Sequence, residues 1–126
     1  MALDGKGVLI LGPSGSGKSS LALQLIGLGA QLVSDDRTRL TAAHRQLTAE
    51  PPAAIAGLIE ARGVGLLRVA HVTQARLALV VDMSEEEHGR LPAARTTSLL
   101  DMVLPCLHKV NAPYFPVAVR LVLTGL

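Results

Sequence analysis

The segment GPSGSGKS at residues 12–19 restricts the fold of this chain more than any other stretch. It matches the phosphate-loop pattern G-x-x-x-x-G-K-[ST] at every fixed position. Glycines let the backbone of such a loop turn tightly, so that successive N–H groups point at phosphate oxygens. The lysine neutralises the β and γ phosphates, and the serine hydroxyl is a ligand for Mg²⁺. The segment therefore predicts a nucleotide phosphate site.

The residues on either side of this loop fit the strand–loop–helix context that the pattern requires. Residues 7–11 form a short apolar run that predicts a buried strand. Residues 18–28 place Leu21, Leu25 and Leu28 at helical spacing, and Gly27 or Gly29 is a natural end for that helix. The helix directs its positive end at the bound anion. The predicted nucleotide-binding residues are Gly12, Pro13, Ser14, Gly15, Ser16, Gly17, Lys18, Ser19 and Ser20.

The next part of the chain predicts an alternation of strands and helices. Residues 30–34 are expected to form a second strand that ends at an acidic pair, and residues 39–49 a hairpin or edge strand. The prolines at 51 and 52 are expected to start a helix through Ile55, Leu58 and Ile59, which ends at residues 63–65. This alternation predicts an α/β fold, with residues 1–126 as a single domain.

The second half of the chain is less clearly patterned. Residues 66–72 and 77–81 read as two strands with a turn at residues 73–74. Residues 84–87 resemble the start of a helix and equally a solvated acidic loop. The apolar run at residues 117–123 is compatible with a helix or a strand.

Composition excludes several classes of protein. The chain is 49% hydrophobic, which favours a globular core over disorder, and its one cysteine, Cys106, cannot form an internal disulfide. It contains neither a recognisable signal peptide nor an apolar stretch of the roughly 20 residues that a membrane span needs, so we expect a cytoplasmic protein without a membrane partner. The net charge of +2 is scattered along the sequence, which disfavours nucleic acid as a partner.

A phosphate loop needs an acid that helps to hold the metal, and the sequence offers two places for it. Residues 77–82 are an apolar strand that ends in Asp82, the usual form of the second motif of nucleotide-hydrolysing enzymes. Residues 32–36 end in the doubled carboxylates Asp35 and Asp36. Neighbouring residues of a strand point to opposite faces, so both acids could face the phosphates only if the strand has already ended. Spacing alone leaves both places open.

Three motifs in order resemble the HPr kinase/phosphorylase family, most closely its short bacterial form. They are the phosphate loop, the Leu-Val-x-Asp-Asp segment at residues 32–36, and the AGLIEARGVG segment at residues 56–65. The likeness runs from about residue 3 to residue 82. The resemblance implies a single phosphate-loop domain with a mixed sheet and flanking helices, like HPr kinase and PEP carboxykinase.

The resemblance also implies a function and a set of roles. It implies an ATP- and Mg²⁺-dependent serine kinase that acts on HPr, the phosphocarrier protein of the phosphotransferase system, and that can also run phosphorolysis of the product with inorganic phosphate. It further implies a homo-oligomer, a hexamer in this family. Carried over by position, the catalytic residues are Asp35, Asp36 and Arg62, and the metal ligands are Ser19, Asp35 and Glu60.

Two departures from the family pattern keep a second hypothesis open. Ser20 stands where the family usually has an acid after the Lys-Ser pair, and the histidine that precedes the family's loop has no counterpart in this sequence. An ATP-binding sensor with little or no catalysis is therefore the alternative. A small-molecule phosphate-loop kinase is a third hypothesis, although the chain looks too short for a lid and a second substrate pocket. The absence of an Asn-Lys-x-Asp motif disfavours a GTPase.

Overall fold

The computed structural model of the chain describes residues 1–52 and 56–126. Within these ranges the strands are β1 (Ala2–Leu3), β2 (Lys6–Leu11), β3 (Arg39–Ala43), β4 (Gln46–Glu50), β5 (Leu58–Ala61), β6 (Gly65–Arg68), β7 (Ala75–Glu86), β8 (Arg95–Leu99) and β9 (Met102–Lys109), and the helices are α1 (Lys18–Gly27) and α2 (Phe115–Thr124). Neither α1 nor α2 has the length and apolar character needed to cross a bilayer.

The main sheet is mixed and is organised around the long strand β7. β7 pairs in parallel with β2 and β9, and its first residues pair antiparallel with β4. The sheet order is β1-β2-β7-β4-β3, with β9 and β8 joined beside the second half of β7, while β5 and β6 form a separate hairpin. The predicted α/β fold with a mixed sheet and flanking helices is confirmed.

The two faces of the main sheet bury different sets of side chains. Leu79, Val81 and Met83 of β7 belong to the core cluster that includes residues of α1 and α2. Val80 belongs to a second cluster with Leu47 of β4. Successive strand residues point to opposite faces, so this division fixes the face of every residue near the end of β7. It therefore also determines which face of the sheet Asp82 presents.

The strand–loop–helix unit forms as its sequence predicts. β2 covers the expected apolar run, and α1 ends at Gly27. The N–H of Gly29 donates to Ile26 O at 3.0 Å, and the N–H of Ala30 donates to Leu25 O at 3.0 Å. This is a Schellman cap, in which the residue after the cap is left-handed; Gly29 has φ +98°.

The two glycines at the end of α1 provide a matched pair for a stability test. We expect Gly29→Ala to lower the free energy of unfolding by about 1–2 kcal/mol, because a Cβ is disfavoured at left-handed φ. Gly27 lies inside the helix and has open space around it. We therefore expect Gly27→Ala to raise the free energy of unfolding by up to about 1 kcal/mol. Urea unfolding of both variants measures the two changes, and equal changes in the free energy of unfolding would contradict the Schellman cap at Gly29.

Three predictions of secondary structure were wrong. Residues 30–34 make only isolated bridges, Gln31 with Ala2 and Leu32 with His71, rather than a strand. The helix expected after Pro51 and Pro52 is instead β5 over residues 58–61, where buried Ile59 and Ala61 alternate with more exposed neighbours; residues 53–55 lie outside the described ranges. Residues 84–86 continue β7, so the acidic segment is neither a helix start nor a loop there.

The other expectations for the second half hold in part. Residues 39–49 form the hairpin of β3 and β4, and residues 117–123 lie in helix α2. Strands form within both residues 66–72 and 77–81, but they do not pair with each other. β6 pairs with β5, and β7 enters the main sheet. The parallel neighbours β2, β7 and β9 all end at the same edge, which is where the phosphate loop follows β2.

Candidate active site

The phosphate loop leaves β2 as a wide turn built on three glycines. Gly12, Gly15 and Gly17 have φ values of +150°, +83° and +97°. The N–H of Ser16 donates to Pro13 O at 3.1 Å, which closes the turn. A Cβ added to Gly12 would lie 2.6 Å from Ser16 Oγ and 3.1 Å from Met83 Cβ. The loop therefore needs glycine at position 12 for space as well as for its backbone angle.

Free backbone donors line this turn. In the described part of the chain, no acceptor pairs with the N–H groups of Gly15 or Gly17. The first intrahelical bond of α1 runs from Leu21 N to Gly17 O at 3.0 Å, so the N–H groups of the first helical turn are also free. A cluster of free N–H groups at a helix start is suited to bind an anion.

One cleft collects most of the residues that the sequence singled out. Its volume is about 850 Å³. Of the predicted site residues, it is lined by Ser14, Gly15, Gly17, Lys18, Ser19, Ser20, Asp35, Asp36, Glu60 and Arg62. The predicted loop residues Gly12, Pro13 and Ser16 are outside that lining and form the back of the loop. Both cations expected to meet phosphate, Lys18 and Arg62, thus share one cleft with three carboxylates.

The acidic pair lies in a tight bend rather than in a strand. Arg37 N donates to Asp35 O at 2.6 Å, Ser34 Oγ donates to Arg37 O, and Asp36 has φ +59°. Because the acids lie in a bend outside any strand, the alternation of a strand does not apply, and both carboxylates line the cleft. Asp35 is half-buried, and Asp36 is exposed.

Asp35 and Asp36 differ in the hydrogen bonds that their carboxylates accept. Asp35 Oδ2 accepts a hydrogen bond from Glu60 N at 3.0 Å, which ties the acidic bend to β5. Asp36 has no such bond among the described residues. The arrangement leaves Asp35 fixed with one oxygen free, and it leaves the Asp36 carboxylate open to solvent.

Asp82, the other candidate acid, lies on the opposite side of the sheet. It follows Val80 at a spacing of two residues, so it faces away from the core that α1 and α2 cover. Its Oδ1 accepts from Ser84 N at 2.9 Å and from Ser84 Oγ at 2.5 Å. These bonds, with His108 nearby, lower the pKa of Asp82 below its usual value. Asp82 does not line the cleft.

Glu60 and Arg62 reach the cleft from the β5–β6 hairpin. Glu60 is on the exposed side of β5, because Ile59 and Ala61 point into the core. Arg62 follows at the turn, which is closed by the bond from Val64 N to Ala61 O at 2.9 Å. The hairpin packs on α1, so the sequence segment expected to be a helix brings its charged residues to the loop as a strand and turn.

A basic residue that the sequence analysis missed contacts the loop from behind. Lys109, the last residue of β9, donates from Nζ to Ser16 O at 3.1 Å. It is an isolated lysine far along the chain from the loop, and no motif marks it. Only the parallel placement of β9 beside β7 brings it there.

The cleft offers oxygen donors of the kind that Mg²⁺ prefers. Within residues 1–52 and 56–126, no three His, Cys, Asp or Glu side chains converge in a ready-made metal site. Mg²⁺ is commonly held by one or two carboxylates together with phosphate oxygens and water, so it does not need such a cluster. The free oxygen of Asp35, the Ser19 hydroxyl and the Glu60 carboxylate are hard oxygen donors on one cleft, and they fit this ion.

A glycine-rich loop between a parallel strand and a helix, with acids across the cleft, is the arrangement found in phosphate-loop α/β domains. Residues 1–103 match the protein family described as HPr Serine kinase C-terminal domain. The chain belongs to this family, and the resemblance inferred from its three motifs is confirmed.

Individual relatives agree with this assignment. An HPr kinase/phosphorylase from Caldicellulosiruptor bescii is 37% identical over 94 residues, which cover 68% of this chain and 30% of the relative. One from Variovorax paradoxus is 36% identical over 110 residues, covering 77% of this chain and 34% of the relative. The chain thus spans about a third of the length of these curated relatives.

A solved structure shares the fold. The Hpr(Ser) kinase/phosphatase from Coxiella burnetii superimposes with a TM-score of 0.80 at 28% sequence identity. The match covers 97% of this chain and 88% of that chain. The likeness therefore includes the segments after residue 103 that the family match leaves out.

Proposed function

We propose that this chain is a catalytic domain that transfers phosphate from ATP to a serine of the phosphocarrier protein HPr, and that also removes it by phosphorolysis, in which inorganic phosphate accepts the phosphoryl group and leaves as pyrophosphate. The observation that carries this proposal is the shared cleft. The acidic bend of Asp35 and Asp36 lies on the same cleft as Lys18 and Ser19 of the phosphate loop. The names of the relatives support HPr as the protein substrate.

The chain's own groups divide the work of phosphoryl transfer. The free N–H groups of the loop and Lys18 bind and orient the triphosphate, and Arg62 neutralises charge on the transferring group. Ser19, Asp35 and Glu60 would hold Mg²⁺, which supplies further charge neutralisation at the phosphate oxygens. Catalysis of this kind rests mostly on position and electrostatics.

The exposed acid suits the role of general base. As the bond from the target serine oxygen to phosphorus forms, the bond from phosphorus to the leaving ADP oxygen breaks, and Asp36 accepts the serine hydroxyl proton. Asp36 is the acid without a partner among the described residues, and it is exposed to an incoming protein. Asp35, whose Oδ2 is already bonded to Glu60 N, is the acid better fixed for the metal.

The proposal is tested by incubating the protein with Mg-ATP and HPr of the same organism. We expect one phosphoserine on HPr by mass spectrometry, and its loss on addition of inorganic phosphate with Mg²⁺. The control is HPr whose target serine is replaced by alanine. Tight ATP binding without any phosphoserine on folded HPr would contradict the kinase and favour the sensor, a hypothesis for which Ser20, in place of the family's acid, is the observation.

A further inference from the structure

Lys109, which contacts the phosphate loop on the side away from the cleft, has no carboxylate partner among the described residues. Lys109 is half-buried, and within the described ranges no Asp or Glu oxygen lies within 4 Å of its Nζ. The bond to Ser16 O is instead to a neutral peptide group, at 3.1 Å. The Lys109 ammonium group therefore lies against the backbone of the phosphate loop.

The bonded carbonyl belongs to the peptide that presents Gly17. The described chain has no cis peptide, so the carbonyl of Ser16 and the N–H of Gly17 point in opposite directions across one planar unit. Lys109 donates to the Ser16 carbonyl from the side of the loop away from the cleft. The N–H of Gly17 therefore points in the opposite direction, towards the cleft. Gly17 lines the cleft, and its N–H has no acceptor in the described part of the chain.

The surroundings of this peptide show how closely the lysine approaches it. A Cβ added to Gly17 would lie 3.9 Å from Lys109 Nζ and 3.4 Å from Met83 Cε. The hydroxyl of Ser16 is buried without a hydrogen-bond partner in the described structure, so it does not help to hold the peptide. Lys109 is thus the side chain that fixes the orientation of the peptide between Ser16 and Gly17.

We propose that Lys109 is a positioning residue for nucleotide binding, which acts through the Ser16 carbonyl to aim the Gly17 N–H at the phosphates. It does not touch the nucleotide itself. The inference rests on the proposed function only in taking the loop to bind the ATP phosphates, and it requires neither HPr nor catalysis. It adds a residue outside the segment matched by the family, which ends at residue 103.

The test measures binding of Mg-ATP, and of inorganic triphosphate, by titration calorimetry. We expect Lys109→Met to raise both dissociation constants about tenfold, since a hydrogen bond from a charged donor is lost. Lys109→Gln keeps a donor and should raise them about threefold, and Lys109→Arg should restore affinity to within about twofold. The amide NMR signal of Gly17 in the ligand-free protein should move in Lys109→Met and return in Lys109→Arg.

Lys6 provides the matched control. Its Nζ also donates to backbone carbonyls, those of Leu126 and of Thr124, the latter at 3.1 Å, but at the end of α2 and away from the loop. Lys6→Met should leave both dissociation constants and the Gly17 signal unchanged.

The outcomes separate the two proposals. Unchanged affinity in Lys109→Met overturns the positioning role. Equal losses in the Met and Gln variants that vanish at high salt overturn it too, because they show a role of charge alone. Wild-type protein that binds ATP but does not modify HPr overturns only the proposed function. Wild-type protein that binds neither ATP nor triphosphate overturns both.

Discussion

Replacing Asp36 with asparagine is expected to lower phosphoryl transfer to HPr by about 10²–10⁴-fold, the usual contribution of a general base. The change removes the proton acceptor and keeps the size of the side chain. Asparagine is also among the residues that tolerate the left-handed backbone found here, φ +59°, so the bend should survive. The measurement is the initial rate of phosphoserine formation at saturating Mg-ATP, with the dissociation constant of ATP determined in parallel and expected to stay close to the wild-type value.

Asp82→Asn is the matched control for this experiment. Asp82 faces the other side of the sheet and is bonded to Ser84, so transfer should change little. If Asp82→Asn abolishes transfer and Asp36→Asn does not, the assignment of the acids is wrong. If Asp36→Asn abolishes ATP binding as well, Asp36 holds the nucleotide or metal and is not only a base.

Leu79→Ala is expected to lower the free energy of unfolding by about 2–5 kcal/mol, the range for a buried leucine that leaves a cavity. Leu79 is 0% exposed, pairs with Val8 of β2, and belongs to the core under α1 and α2. Domains are typically stable by only about 5–15 kcal/mol, so this loss would leave the protein marginal. Urea unfolding followed by circular dichroism measures it.

An exposed leucine, Leu91, provides the control for the loss of stability expected in Leu79→Ala. Leu91 is 90% exposed, and Leu91→Ala should change the free energy of unfolding by less than about 0.5 kcal/mol. A similar small change in Leu79→Ala would contradict the central place of β7 in the core. ATP binding by Leu79→Ala at low temperature, where the protein is still folded, should be preserved, since Leu79 does not line the cleft.

Local sequence signals predicted the elements whose structure depends on near neighbours. The strand–loop–helix unit is set by glycine spacing and by an apolar helical stripe, both of which act within a few residues. The hairpin of β3 and β4 was also anticipated. Its turn residues His44 and Arg45 both have positive φ, the type I′ geometry that matches the twist of two strands.

The elements that were missed or wrong carry weak or misleading local signals. The hairpin of β8 and β9 turns at Leu100 and Asp101 in the same type I′ geometry, yet leucine is an unusual residue there and does not mark a turn. Pro105 argues against a strand, but pairing of β9 with β7 starts one residue later, at Cys106. Residues 55, 58 and 59 have helical spacing, and the alternation that makes 58–61 a strand covers only four residues.

The sequence by itself determined that this protein has a phosphate loop between a strand and a helix, and its ordered motifs identified the family. The first conclusion follows from residues close together along the chain, where spacing fixes local geometry, and the second follows from the resemblance of three motifs to a known family. Only the tertiary structure decided that Asp35 and Asp36 share the cleft with Lys18 while Asp82 does not, and that Lys109 meets Ser16 across 93 positions. Those relations depend on strand order and on which face each strand presents, and long-range pairing sets both.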